Sequence, residues 1–538
     1  MSELQFDQFS NNELQPRSVD DTSGAIRLPG YGLPLNYLPD KRDRFPALME
    51  DTHKSWKAST LLVREICMLK FMEDITNKTE WWRKVRDPVV SAKWKEEVLA
   101  LDWAVYRSHG DFTKNMAEAC LEELRKKATL YEETGLIRVM DYSTGVIKSD
   151  KLLPSSLIDR LQAAVKSLED VPDHEKDWYL GSDGKVLDMV HSSLFPLLYG
   201  RSRIMHERIT LDDCLELGGR GFLIPKPDES DVGEGRTFDW QGAPIELVST
   251  KFQWLPCDVS IDDGRPTIAS YVNNLHPRKH SDLYPLIEEL IQKSLPAWNI
   301  IYRWVRKFPV QRLTARKVGK RVAVPDVVPE KDNQSGGNES DPSYNGGSWH
   351  IESQLNEHIC ATALFYYDSA NITESQLAFR APGNREKLGQ RLNYQQYDHK
   401  SIETVFAIRS SSATLQEVGS VLTRPGRALF FSNLSQHKVR PFRLEDPTKP
   451  GYRKIAALFL VDPAVPVIST ANVPLQQKHW SVVKDQHAEA NEMVETMSTL
   501  IEMDEAKKLR EELMRERTVL SKTVNEELRD VEWSFCEH

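Results

Sequence analysis

Apolar positions along the chain change their rhythm several times, and each rhythm predicts a different kind of element. Up to about residue 45 the sequence is rich in Asn, Asp, Ser, Gly and Pro with no sustained period, which predicts a loosely held arm over residues 1–45. Leu62, Ile66, Leu69 and Met72 then recur at intervals of four, three and three and place one apolar stripe on a helix. Leu157, Leu161, Val165 and Leu168 do the same over 156–168, where Ser156 and Asp159 form a capping-box pattern. A helical domain over 46–190 follows. From about residue 245 the texture turns to short β-rich runs, ELVSTKFQWLPCDVSI and TIASYVNNLHP, interrupted by one long helix around Leu283 to Phe308. Between Ser348 and Val467 six runs follow closely: WHIESQLNEHICATALFYY, SQLAFR, TVFAIR, RALFFSN, HKVRPF and RKIAALFLVDP. Many short strands without intervening helices predict a sandwich or jelly roll. In the tail, Leu509, Leu513, Leu520, Val524 and Leu528 form an apolar seam whose heptads are irregular, as expected of a helix packed on the body rather than a dimerising coiled coil.

Length adds that 538 residues exceed what one core supports, so two or three packed units are expected. With 40% hydrophobic and 28% charged residues, wholesale disorder is excluded. The net charge of -10 argues against a protein that grips a phosphate backbone. One basic run, Arg303, Arg306, Lys307, Arg312, Arg316, Lys317, Lys320 and Arg321, with Tyr302 and Trp304, is the best case for nucleic acid, and the solvated exit of a helix explains it better. The six cysteines include no C-x-x-C pair and no regular spacing, which suits a reducing compartment. The N-terminal MSELQFDQFSNNELQPRS has neither the apolar core of a signal peptide nor a basic amphipathic face, and no stretch of eighteen apolar residues occurs. A cytoplasmic protein that makes no use of a membrane is expected.

The densest chemistry follows a polar loop, PEKDNQSGGNESDPSYNGG, which runs directly into Trp349-His350-Ile351-Glu352. In a strand, positions two apart share a face, so His350 and Glu352 point the same way. Well downstream, His437 opens the strand HKVRPF. Two imidazoles and one carboxylate on one face are the protein half of a facial triad, which leaves positions on iron(II) open. Alone, an H-x-E with a distant histidine is a weak signal among fourteen histidines. The stronger one is order: His437-x-Val439-x-Pro441, a turn, then Gly451-Tyr452-Arg453 leading an apolar strand. That order resembles the end of the double-stranded β-helix in 2-oxoglutarate-dependent oxygenases.

The resemblance implies an α+β chain with a double-stranded β-helix, jelly-roll or cupin-like, over 191–475. The 283–308 helix and a 325–347 loop are inserted in it, the helical domain precedes it, and a C-terminal helical segment over 476–538 closes it. It also implies Fe(II), 2-oxoglutarate and O2 as cofactor and cosubstrates, with His350, Glu352 and His437 on the metal. Arg453 takes the position of the cation for the far carboxylate of 2-oxoglutarate, a task suited to a planar fork. The carboxylate is glutamate where aspartate is usual, one methylene longer, and a carboxylate of either kind argues against the halogenase variant. Further phrases resemble a large, mostly fungal family of uncharacterised proteins classed as a domain of unknown function: REICMLKFMEDITNKTEWWRKV, HSSLFPLLYGRSRI, GGSWHIESQLNEHICATALFYYD, NLSQHKVRPFRLEDPTKPGYRK and FLVDPAVPVISTANVP.

Softer candidates complete the expectations. In SYVNNLHP, Tyr271 and Asn273 on one strand face would hydrogen-bond the oxo acid, against a plain turn role for that segment and for Asn274. Arg380 and Arg440 would suit an acidic or amino-acid substrate, and the loop Asp332 to Gly347 would act as a lid. His276 and His280 read as locally satisfied, and Glu357 as turned away from the metal. The reading is an oxidoreductase that hydroxylates, desaturates or cyclises a small molecule, with a secondary metabolite or amino acid as substrate. The rivals are a metal-binding scaffold without turnover and a nucleic-acid-binding protein.

Overall fold

The structure is a computed structural model that describes residues 26–48, 60–141, 145–172, 176–179, 182–227, 237–238, 244–245, 247–304, 312–313, 343–352, 355–384, 399–409, 411–480, 499–530 and 532–533. Its principal helices are α1 (Val63–Thr76), α2 (Pro88–Ala100), α3 (Lys114–Thr134), α4 (Ser155–Glu169), α5 (Leu283–Trp304), α6 (His399–Phe406) and α7 (Met503–Asp530). The strands that matter for the site are β1 (Ile137–Met140), β2 (Val146–Ser149), β3 (Ser343–Tyr344), β4 (Ile359–Ala370), β5 (Ser375–Pro382), β6 (Leu415–Thr423), β7 (Arg427–Ser432), β8 (Gln436–Val439), β9 (Phe442–Arg443) and β10 (Tyr452–Val461).

Every residue of β7, RALFFS, is buried, so both of its faces must be covered. Alternation decides by what. Leu429 and Phe431 join a cluster with Tyr366 of β4, Leu377 and Phe379 of β5, Val418 and Val421 of β6, and residues of α1 and α3. Ala428 and Phe430 join the opposite cluster, with Ala363 and Phe365 of β4, Leu157, Leu161 and Val165 of α4, and Leu286, Leu290 and Ile301 of α5. Thus the central sheet, in the order β10–β4–β7–β2–β1, carries α4 and α5 on one face and a second sheet, together with α1 and α3, on the other. That second sheet has the order β6–β5–β8, and both sheets are antiparallel. From β4 the chain moves to the second sheet for β5 and β6, back to the first for β7, out again for β8 and home for β10. The described residues close no barrel.

Several elements differ from the sequence expectation. TVFAIR forms no strand; its first half, Thr404 to Phe406, ends α6, because Ile402 and Phe406, four apart, are both fully buried against Leu62 and Ile408. Strand β6, LQEVGSVLT, went unpredicted, as did the β1–β2 hairpin, which lies in the stretch expected to be helical and extends the central sheet. α1 is buried on most sides rather than along one stripe, with Val63, Ile66, Cys67, Met68, Phe71 and Ile75 all inside. α4 starts at Pro154 without a side-chain cap, so Ser156 and Asp159 do not form the capping box. Residues 26–48 are held rather than loose: Leu28, Leu33, Leu35 and Phe45 are buried, and the Phe45 N–H donates to Asp462 at 2.6 Å. The long helix is confirmed over Leu283–Trp304, and α7 packs Leu513, Val524 and Leu528 against the body. Most of the loop expected to be a lid, residues 332–342, lies outside the described residues, as does most of the basic run. Within that run, Arg312 is buried and paired with Glu123 at 2.7 Å and with Asp141, so it is no solvated face. Among the described residues no helix is long and apolar enough to cross a membrane.

Candidate metal centre

His437 sits in β8 opposite Phe379 of β5, and alternation turns both toward the core shared by the two sheets. Its ring lies 4.7 Å from that of Phe431 and 6.3 Å from that of Phe379. On the free side of β8 the segment carrying His350 completes one rung: the His350 N–H donates to the His437 carbonyl at 3.2 Å and the His437 N–H returns to the His350 carbonyl at 3.0 Å. Residues that exchange both backbone bonds stand side by side, so the two imidazoles come to 4.3 Å between centroids.

Glu352 joins them although it is not in a strand, since the chain bends after the single rung at His350. Its Oε1 is 3.2 Å from His437 Nε2, and their side chains are only 15% and 5% exposed. His350, Glu352 and His437 each offer a ligand atom, all within 4.8 Å of one another. His350 Nδ1 lies 2.8 Å from the Ser348 carbonyl, which can only accept, so Nδ1 carries the proton and Nε2 keeps its lone pair for a metal. Burial, and then the neighbouring His437, push the His350 pKa below the usual imidazole value, which favours that neutral ring. For Glu352 burial works upward, but the hydrogen bond and charge of His437, with Arg517 behind them, outweigh it and hold the carboxylate below its usual range. Two imidazoles and an ionised carboxylate facing one point, among phenyl rings, fit a divalent cation. His437 Nδ1 is buried without an acceptor among the described residues, so this ring is held by its aromatic neighbours rather than by a hydrogen bond from behind.

Sequence profiles of the family described as a protein of unknown function, DUF4246, match residues 114–341 and 338–484, and the profile of its N-terminal domain matches residues 28–97. The chain belongs to this family. No curated protein and no solved structure matches it. The three candidate ligands of this DUF4246 chain all fall in the second matched stretch, 338–484.

Arg453 opens β10 and reaches the space between the sheets, where its Nη1 donates to Ser375 Oγ at 3.0 Å and its guanidinium lies 4.8 Å from the Phe442 ring. No carboxylate among the described residues pairs with it. Tyr366 on β4 feels its charge.

The other candidates are placed elsewhere. Tyr271 and Asn273 form no strand face toward the ligands: the fully buried Tyr271 hydroxyl donates to the Val473 carbonyl at 2.8 Å, and Asn273 Nδ2 donates to the Phe195 carbonyl at 3.0 Å while its Oδ1 accepts from Gln477 at 3.0 Å. They tie three chain segments together. Arg380 is opposite Gln436 in the β5–β8 ladder and therefore on the face away from His437; it donates to Gln436 and Asn525 and lies 4.6 Å from the Trp349 ring. Arg440 pairs with Glu417 of β6. Neither lines the candidate centre. The His276 ring lies tilted 5.0 Å from that of Trp480, His280 meets Ser167 at 3.2 Å, and Glu357 is a buried partner of Arg517.

Three residues near the ligands escaped sequence reading. Asn433 holds the Glu352 backbone, Arg517 of α7 stacks 3.7 Å over Trp254 while binding Glu357, and Asn525 of α7 donates to the Trp349 carbonyl at 3.0 Å. Only Asn433 left a trace in the sequence, as a polar residue that ends a fully buried strand shortly before His437.

Proposed function

We propose that this protein is a mononuclear non-haem iron(II) oxygenase that uses 2-oxoglutarate to oxidise a small molecule. The observation that carries this reading is the convergence of His350, Glu352 and His437 within 4.8 Å, reached from two chain segments that lie side by side through the backbone rung between His350 and His437. Three protein donors leave coordination positions open for cosubstrate, a pattern associated with iron(II) oxygenases. The course of the chain supports the reading, because strands that alternate between two antiparallel sheets are what a double-stranded β-helix requires.

When bound, iron(II) with 2-oxoglutarate supplies the oxidation: the oxo acid and O2 become succinate and carbon dioxide, with one oxygen atom left to oxidise a substrate carbon. The chain's own part is binding, orientation and exclusion of water. His350 is fixed in one tautomer by Ser348, Glu352 stays ionised, and Phe379 and Phe431 keep water from His437. Arg453, steadied by Ser375 and lacking an acidic partner among the described residues, offers two parallel donors to the far carboxylate of the oxo acid. The test is to load the oxygen-free protein with iron(II) and titrate 2-oxoglutarate, following the metal-to-ligand absorption band that chelation produces. A band with one-to-one stoichiometry is expected. Iron bound without any band would leave a metal-binding scaffold as the better account.

A further inference from the structure

Glu352 stands where no strand serves it. After the rung at His350 the chain bends, and neither the N–H nor the carbonyl of residue 352 has a ladder partner. One side chain takes both. Asn433, the residue after β7, accepts the Glu352 N–H on Oδ1 at 2.8 Å and donates from Nδ2 to the Glu352 carbonyl at 2.9 Å. It also donates to the Ile359 carbonyl at 3.0 Å. The carboxamide is itself fixed, because the Asn433 backbone N–H donates to the Cys360 carbonyl at 3.0 Å. A primary amide presents donor and acceptor side by side as a peptide group does, so it replaces the missing strand rung. Two bonds to one residue fix where its Cα stands and leave only the side-chain torsions free.

That position matters for a glutamate. Its carboxylate extends one methylene farther than that of aspartate, so its Cα must stand farther back from a shared cation. We propose that Asn433 is a positioning residue that holds the backbone of residue 352 at the setback a glutamate ligand requires, an inference that rests on the metal assignment above. The neighbouring ligands have no such need, since His350 and His437 hold one another through the backbone.

The experiment is a cobalt(II) titration of oxygen-free wild type, Asn433→Ala, Glu352→Asp and the double variant, with affinity read from the d–d absorption bands. Asn433→Ala is expected to bind about 10- to 100-fold more weakly, the usual effect of losing a group that orients a metal ligand, and to show an altered band pattern. Glu352→Asp alone is expected to weaken binding because the backbone is held too far back. In the double variant that penalty shrinks, since the released backbone lets the shorter side chain approach. Wild-type affinity and bands in Asn433→Ala, or two effects that simply multiply, would overturn the inference and leave the metal assignment standing. If wild type takes up no cobalt, the metal assignment falls and takes this role with it. Hydrogen exchange on metal-free wild type guards against a variant that fails to fold: the Glu352 amide must be protected, and exchange at the rate of an open loop overturns the clamp.

Discussion

Single side chains decide whether the centre exists. Removing one ligand of an open triad leaves no protein donor to replace it, so His350→Ala, Glu352→Ala and His437→Ala should each lose most bound iron while keeping their circular-dichroism spectrum. Metal analysis of oxygen-free preparations checks this, and full iron occupancy in His437→Ala would remove that residue from the ligand set. Arg453 faces a different test. If it neutralises a carboxylate between the sheets, Arg453→Ala should cost about 3–5 kcal/mol, a loss of roughly a hundred- to a few-thousand-fold in 2-oxoglutarate affinity, with iron binding intact. Arg453→Lys keeps the charge without the fork and should fall between the two. The candidate ligands were legible because their identity and order along the chain survive any error in secondary structure. Tyr271 and Asn273 were misplaced for the opposite reason. Their β-like local sequence says nothing of the distant partners, Val473, Phe195 and Gln477, that claim their polar atoms.

Among the helices, α7 reaches the ligand segment through a side chain. Asn525 donates to the carbonyl of Trp349 and accepts from Gln436 Nε2 at 2.9 Å, and these residues immediately precede the two histidine ligands. Ile351, between His350 and Glu352, packs against the cluster that holds Val524 and Leu528 of α7. Asn525→Ala should therefore weaken iron binding about tenfold while leaving the helix folded, as oriented partners of ligands generally do. Competition with a chromogenic chelator measures it, and unchanged affinity would reduce α7 to packing. Apolar spacing predicted α4 and α7: Leu157, Leu161 and Val165 of α4 enter one core, while the seam of α7 sends Leu513 into one cluster and Val524 and Leu528 into another. It failed at α6, where eight residues are too few to separate a period of 3.6 from one of 2 and burial of Ile402 and Phe406 decides. It failed again at the β1–β2 hairpin, because two four-residue runs carry little pattern until β7 pairs with β2.

At the scale of the whole molecule the two sheets and the helices share cores, so events at the centre should register in global stability. An ion that binds only the folded state adds about 2.7 kcal/mol at a hundred times its dissociation constant. Iron(II) without oxygen should raise the unfolding midpoint of wild type and leave that of His437→Ala unmoved, as calorimetry in the presence and absence of chelator would show. A second global term lies away from the centre. Asp150 is bound by Arg427, which is fully buried, and by Arg424. Burial alone would raise its pKa, yet the hydrogen bonds and charges of Arg427 and Arg424 hold it down to about 2. A depressed carboxylate contributes stability that is complete above the ordinary value near 4 and is lost as pH falls toward about 2. Denaturant midpoints across that window should drop by the equivalent of about 2 kcal/mol in wild type and by less in Asp150→Asn. An equal drop in both would assign the acid limb to other groups. This network of Arg427, Asp150 and Asn77 was invisible in the sequence because its members come from separate stretches that meet only when β2 pairs with β7.

The position of α7 along the chain has one more consequence, for how the protein comes off the ribosome. His350, Glu352 and His437 are synthesised well before Arg517 and Asn525, so a nascent chain carries all three candidate ligands for many residues without the helix that steadies two of them. During that interval the histidines can meet any free cation in a looser geometry. On the metal assignment proposed above, the geometry that selects one cation over another is therefore complete only once the last long helix docks beside Trp349 and Gln436.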